Sequence, residues 1–332
     1  MSHLKHKKNN KKNTRFRFIP IAFIGLITLL GGIFIAVTES QQKQDNISYA
    51  AEDTTPTPSS SLLIPTATFT SYKNLRYSNA SPRLLLDLYT PDHAGPFPLI
   101  IYVHGGSWSS GSKDTNCAAY STAKMMYRGF AVACINYRLT NEAIYPAQIE
   151  DVKGAVRFLR ANAAQYKLYD TKIGIWGASS GGHLAALAGT TDDITQYETG
   201  LNLSTSSSVQ AVVDYFGPTD LVEFSKTSSQ RQDIVGAKLL GCKITAPGCT
   251  EKAIAASPLS YVTADDAPFF ILHGDKDRAV PLSQSQRLHD SLLAHNVRSE
   301  LAIVQGMGHG GVQTSESSQI DAVSNFFDLL LR

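Results

Sequence analysis

The feature that most restricts how this chain can fold is a series of short, largely apolar runs separated by helix-length segments. They read "FPLIIYV" (97–103), "FAVACINYRL" (130–139), "TKIGIWGAS" (171–179), "VQAVVDYFG" (209–217), "APFFILHG" (267–274) and "SELAIVQG" (299–306). A strand with one face in water alternates apolar and polar residues, whereas near-continuous runs belong to strands covered on both faces. The intervening segments have helical character: "NCAAYSTAKMMYRG", "YPAQIEDVKGAVRFLRANAAQY", "SGGHLAALAG", "SQSQRLHDSLLAHN" and "SSQIDAVSNFFDLLLR". In the second, Pro146 opens the first turn, and Ile149, Val152, Val156 and Leu159 share one face. An earlier strand is expected in "SPRLLLDLYTP" (81–91), and the polar, mixed stretch between the fourth and fifth runs reads as a small cap or insertion. Strands alternating with helices predict an α/β fold with a mostly parallel central sheet and helices on both faces. Such sheets carry their chemistry on loops at the C-terminal ends of the strands.

Four polar clusters fall on those loops. "IWGASSGGHLA" (175–185) sets two serines in a glycine-rich turn between a strand and a helix. A strict G-x-S-x-G reading selects Ser179, and a looser reading through Ala178 and Gly182 selects Ser180. A serine at such a turn is held out of the sheet, and N–H groups at the helix start favour negative charge. "HGGSW" (104–108) follows a strand, and its successive glycines let backbone N–H groups of Gly105 and Gly106 approach a ligand, joining that of Ser180 in an oxyanion hole. "HGDKDRAVP" (273–281) offers two carboxylates, Asp275 and Asp277, and "QGMGHGG" places His309 in a glycine loop after the last strand. The chain order serine, carboxylate, histidine suits a nucleophilic hydrolase. His104 comes before the serine, His183 lies one helical turn beyond Ser179, and His289 and His295 sit on a polar helix, so all four are expected to be structural or solvated.

With these motifs the sequence resembles the α/β-hydrolase superfamily. More narrowly it is similar to the HGGxW carbohydrate-esterase-like group that includes bifunctional acetylxylan and feruloyl esterases and is related to the hormone-sensitive-lipase-like esterases. The likeness runs from about residue 68 to the end, through "LDLYTP", "YVHGGSW", "INYRL", "PAQIEDVKGAVRFLRANA", "IWGASSGGHLAAL", "ASPLSYV", "HGDKDRAVP" and "GHGG". The group's W-G-x-S-x-G-G-H pattern aligns its nucleophile with Ser179, its H-G-x-x-D-x-x-V-P pattern selects Asp277, and its base falls on His309. The resemblance thus implies a Ser179–Asp277–His309 triad, with Gly105, Gly106 and Ser180 donating backbone N–H groups to the oxyanion. The loop between Cys242 and Cys249 departs from the group and is expected in the cap.

The N-terminus is of a different kind. Seven of the 30 Lys and Arg residues lie within residues 1–17, where there is no Asp or Glu, so the remaining 23 face 28 acidic side chains and the rest of the chain is mildly acidic. The basic head (1–17) runs into "FIPIAFIGLITLLGGIFIAV" (18–37), an uncharged stretch near the length that spans a bilayer. It predicts a signal anchor with residues 1–17 in the cytoplasm and the rest exported, or a signal peptide cleaved after "SYA" (48–50). Residues 38–65 are rich in Ser, Thr and Pro and read as a disordered linker, leaving 66–332 as the catalytic domain.

Export permits disulfides. Cys242 and Cys249 are separated by six intervening residues in a Pro- and Gly-containing loop that can close a local bridge, while Cys117 and Cys134 are either a pair or two small buried apolar residues. The absence of C-x-x-C and H-E-x-x-H argues against zinc, and no basic aromatic face favours nucleic acid. The expected function is an exported serine carboxylic ester hydrolase without cofactor. Its substrates would carry acetyl or other short or aromatic acyl groups on carbohydrates or small molecules. The alternatives are an amide-cleaving hydrolase, such as an arylformamidase or a peptidase, and a catalytically inactive, membrane-tethered binding module. The sequence leaves the oligomeric state open.

Overall fold

The apolar runs form a single eight-stranded sheet in a computed structural model that describes residues 68–332 apart from 116, 118–119, 193 and 311–316. The expected basic head, apolar segment and linker lie outside the described residues. Among the described residues no helix is long and apolar enough to cross a membrane. The strands are β1 (Phe69–Arg76), β2 (Leu85–Pro91), β3 (Phe97–Val103), β4 (Ala131–Ile135), β5 (Leu168–Ala178), β6 (Ala211–Tyr215), β7 (Phe269–Gly274) and β8 (Ser299–Val304). Their order across the sheet is β1-β2-β4-β3-β5-β6-β7-β8. β2 runs antiparallel to both β1 and β4, and all other neighbours are parallel.

Along β3, β4, β6 and β7 every residue is buried, because helices cover both faces. The helices are α1 (Tyr120–Tyr127), α2 (Ala147–Ala161), α3 (Ser180–Thr190), α4 (Leu221–Lys226), α5 (Ser229–Gln232), α6 (Cys249–Ala255), α7 (Ser283–Ala294) and α8 (Ser317–Leu331). The two-residue period of a strand divides β3 between two cores. Leu99, Ile101 and Val103 pack with Ile149, Val152 and Val156 of α2, Leu184 and Leu187 of α3, and Leu288 and Leu292 of α7. Ile100 and Tyr102 face the other way, toward Met125 and Met126 of α1 and Phe326 and Phe327 of α8.

The expected face of α2 is buried as Ile149, Val152, Val156 and Leu159, but Lys153 and Arg157 are also fully buried. They reach the carboxylate of Glu198, with Lys153 Nζ 2.8 Å from Glu198 Oε1 and Arg157 bonded to Glu198 Oε2, and so fasten the segment after α3 over the helix. The stretch between β6 and β7 is a cluster of short elements: α4, α5, a π-helical turn over Asp233–Leu240, and α6. Cys242 is bonded to Cys249 there, and Cys117 to Cys134 beside β4.

Candidate active site

Ser179 occupies the turn from β5 into α3, with φ 57° and ψ −121°. A residue with a Cβ rarely adopts such a backbone, and its persistence requires surroundings that over-determine it. Those surroundings are backbone atoms. A Cβ on Gly177 would stand 2.1 Å from Gly181 O, and one on Gly181 would stand 2.1 Å from Val103 O. The Ser179 N–H donates to Tyr215 O at 2.8 Å, which ties the turn to β6.

Two further loops bring their side chains to this serine. His309 Nε2 lies 2.9 Å from Ser179 Oγ, and His309 Nδ1 lies 2.7 Å from Asp277 Oδ2. An ionised carboxylate only accepts, so the neutral ring carries its proton on Nδ1 and leaves Nε2 to accept from the serine hydroxyl. Asp277 Oδ1 accepts the N–H groups of Ala279 (2.8 Å) and Val280 (2.9 Å). Burial acts to raise the Asp277 pKa, but the bonds from His273, His309 and the Val280 N–H outweigh it and hold the carboxyl well below the usual range. The ring of Phe216 meets His309 edge-on, with centroids 4.8 Å apart.

The other carboxylate in the loop has a different task. Asp275 Oδ1 accepts the Gly306 N–H at 2.6 Å, joining the acid loop to the one that carries His309. His273, to which sequence reasoning gave no role, lies with Nε2 3.3 Å from Asp277 Oδ2 and 2.9 Å from Val280 O. Both neighbours are acceptors, so that nitrogen carries the hydrogen, and Nδ1 faces Ser285 Oγ at 2.7 Å. The spacing of His273 and Asp277 within one tight loop was the available signal.

Ser180 does not share in this contact: it is buried, its hydroxyl 3.5 Å from Tyr137 Oη, and its backbone begins α3. Gly105 lies against Ser179, its Cβ position 3.5 Å from Ser179 Cβ and 2.8 Å from Ala178 O. Beyond it Gly106 has φ 125°, followed by Ser107 and Trp108 at φ 52° and 57°. Among the described residues no acceptor takes the N–H of Gly105 or Gly106.

The remaining histidines keep away from Ser179 Oγ. His104 is buried, stacks on Tyr137 at 4.4 Å, and is pushed down to about 4 by burial. His183 receives the indole N–H of Trp108 at Nδ1 (3.1 Å), so its Nε2 carries the hydrogen and donates to Ala256 O (2.7 Å). Burial pushes it too down to about 4, which keeps the ring neutral. On the next residue back, Ala255 O accepts the hydroxyls of Tyr145 (2.8 Å), Tyr197 (3.0 Å) and Tyr261 (2.8 Å). His289 and His295 bond to Ser299 Oγ and Ser291 O, each 2.8 Å away.

A cleft of about 410 Å³ opens over Ser179 and His309. Its apolar wall is Phe224, Ile234 and Val280, and Arg231 and Arg278 stand among the polar residues. Among the described residues no group of three or more His, Cys, Asp or Glu side chains is arranged to hold a metal ion.

A serine on a strained strand-to-helix turn, in line with a histidine and a buried carboxylate on later strand-end loops of a mostly parallel sheet, defines the α/β-hydrolase class. Residues 86–292 match the BD-FAE family, and the chain belongs to it. "Esterase LipC" of Mycobacterium tuberculosis is 31% identical over 233 residues, which cover 69% of this chain and 57% of that protein. The chain spans about half the length of the curated relatives it matches, with shares of 57%, 52% and 46%. Among solved structures, a "truncated form of carbohydrate esterase from gut microbiota" superposes with a TM-score of 0.72 at 33% identity, covering 80% of this chain and 97% of that one. A "bifunctional GH43-CE" of Bacteroides eggerthii gives a TM-score of 0.70 at 32% identity, covering 79% of this chain and 38% of that one.

Proposed function

We propose that the protein is an exported serine carboxylic ester hydrolase that removes acetyl or other short or aromatic acyl groups from carbohydrate or small-molecule esters. The observation that carries this reading is the continuous line from Ser179 Oγ through His309 to Asp277, at 2.9 and 2.7 Å. Membership of the BD-FAE family and relatives named as esterases support ester chemistry, and the carbohydrate-esterase neighbours support acylated sugars as substrates.

In the first step His309 Nε2 accepts the Ser179 proton as Oγ attacks the ester carbonyl, and Asp277 stabilises the imidazolium. The oxyanion is held by the N–H groups of Gly105, Gly106 and Ser180, an assignment supported by the closeness of Gly105 to Ser179 and by the position of Ser180 at the start of α3. His309 then protonates the leaving alcohol and activates the water that hydrolyses the acyl-enzyme. Export rests on the basic head and the apolar segment 18–37, which would anchor the chain or be cleaved from it.

The test is hydrolysis by the full-length protein of 4-nitrophenyl acetate, butyrate and octanoate, methyl ferulate and acetylated xylan, with Ser179→Ala as control. Release of acetate from the xylan, or of ferulate from its methyl ester, supports the carbohydrate reading. Turnover confined to nitrophenyl esters removes it and leaves a general esterase.

A further inference from the structure

We propose that the cleft selects esters that carry a carboxylate, and that Arg278 is the residue that reads it; the inference rests on the ester-hydrolase reading above. Two arginines line the cleft, and among the described residues no Asp or Glu lines it with them. This runs against the rest of the chain, where acidic residues outnumber basic ones beyond residue 17. Behind His309, the carboxylate of Asp277 has its oxygens engaged by His309, His273 and two backbone N–H groups.

The two arginines are not equivalent. Arg231 is held by neutral acceptors: its Nε donates to Ala279 O (2.9 Å), Nη1 to Thr227 Oγ1 (2.7 Å) and Nη2 to Arg278 O. It also lies over the Phe224 ring at 5.5 Å. Its donors therefore secure the backbone next to Asp277, and among the described residues its charge meets no carboxylate in an ion pair. Arg278 is exposed, and among the described residues it makes no ion pair or hydrogen bond through its side chain. Arg278 lines the same cleft as Ser179, and its five N–H donors form a planar fork that fits a carboxylate with two parallel bonds. A neutral acyl ester leaves that fork in water, so the contact discriminates between substrates.

The carboxylate could sit on the acyl or the alcohol side, and two matched pairs separate these cases. In the first, 4-nitrophenyl hemiglutarate is compared with 4-nitrophenyl butyrate; in the second, 4-acetoxybenzoate is compared with its methyl ester. For one pair, the ratio of kcat/KM for the anion over the neutral ester should fall about tenfold in Arg278→Gln, the size expected of one charge-assisted contact at a partly open site. Arg278→Lys should restore part of the ratio, and added NaCl should lower it in the wild type. A merely structural role would depress both members of a pair together, so an unchanged ratio in both pairs overturns the proposal. Failure of the ester-hydrolase reading looks different, since neither neutral ester would then be turned over. In that event calorimetry on Ser179→Ala decides: glutarate should bind more tightly than glutaramide and lose that advantage when Arg278→Gln is added, and equal binding overturns the proposal.

Discussion

The turn that holds Ser179 and the loops that hold Asp277 and His309 meet across 2.9 Å, yet they are fixed by different forces. Around Ser179 the constraint is repulsive. Backbone oxygens fill the space that a Cβ would need at Gly177 and Gly181, and Asp214 Oδ1 fills that space at Gly182. Around His309 one backbone constraint of that kind recurs, since a Cβ on Gly274 would stand 2.1 Å from Met307 O, but most of the fixing is attractive and polar: Asp275 holds the Gly306 N–H, Arg231 holds two carbonyls, and Asp277 collects hydrogen bonds. Steric fixation tolerates no added atom, whereas hydrogen-bonded fixation depends on the charge state and length of each partner. The turn that holds Ser179 should therefore fail through folding when its frame is altered, and the His309 side, on the proposed mechanism, mainly through catalysis.

The largest expected effect comes from the nucleophile itself. Ser179→Ala should lower kcat by at least about 10⁴-fold and abolish labelling by a fluorophosphonate. Ser180→Ala should still label, and the reverse pattern would assign the elbow to the other serine. Next, Asp277→Asn should reduce kcat by about 10³-fold, because an amide no longer enforces the Nδ1–H tautomer. The melting temperature should also fall, because the amide NH2 would face the His273 Nε2–H, but by less than in the glycine variant below; a larger loss would mean that the acid loop is mainly sterically determined.

On the opposite side, Gly181→Ala places a methyl group against Val103 O and should cost at least about 3 kcal/mol in chemical denaturation. A near-neutral result would remove the steric half of the comparison. The smallest expected effect concerns pH. Unfolded imidazoles gain a proton as pH falls through about 6.5, whereas burial delays this in His183 to about 4. Between those values the unfolded chain binds more protons, so stability declines as pH drops, by up to about 3 kcal/mol for this group. Asp214 works in the opposite sense, because burial raises it to about 6 against the bond from the Gly217 N–H. Melting followed from pH 7 to pH 4 should show a shallower acid decline in His183→Asn, and an unaltered slope would show that the ring is not kept neutral by its surroundings.

How much of this could be read from the sequence follows the same division. The central strands were legible because burial on both faces removes polar positions, and the elbow because glycine is required where backbone meets backbone. β1 escaped notice: "FTSYKNLR" is an exposed edge strand with no apolar run to mark it. Ser179, Asp277 and His309 lie on the loops where they were expected, with Asp275 diverted to the neighbouring loop. The partnership of His273 with Asp277 is signalled only by their spacing within one loop. That of Arg231 with the carbonyls of residues 278 and 279 is absent from any local pattern, because it joins the segment after β6 to the loop after β7.

The link from Trp108 through His183 to Ala256 has a mechanical consequence. One end belongs to the glycine loop beside the nucleophile and the other to the C-terminus of α6, where three tyrosine hydroxyls grip the preceding carbonyl. Loop, elbow and cap base are thus parts of one truss whose central joints, at His183, are buried. On the proposed function, a cleft built on such a truss would act as a gauge that sorts esters by what fits at entry, with little of the binding free energy diverted into rearranging the wall.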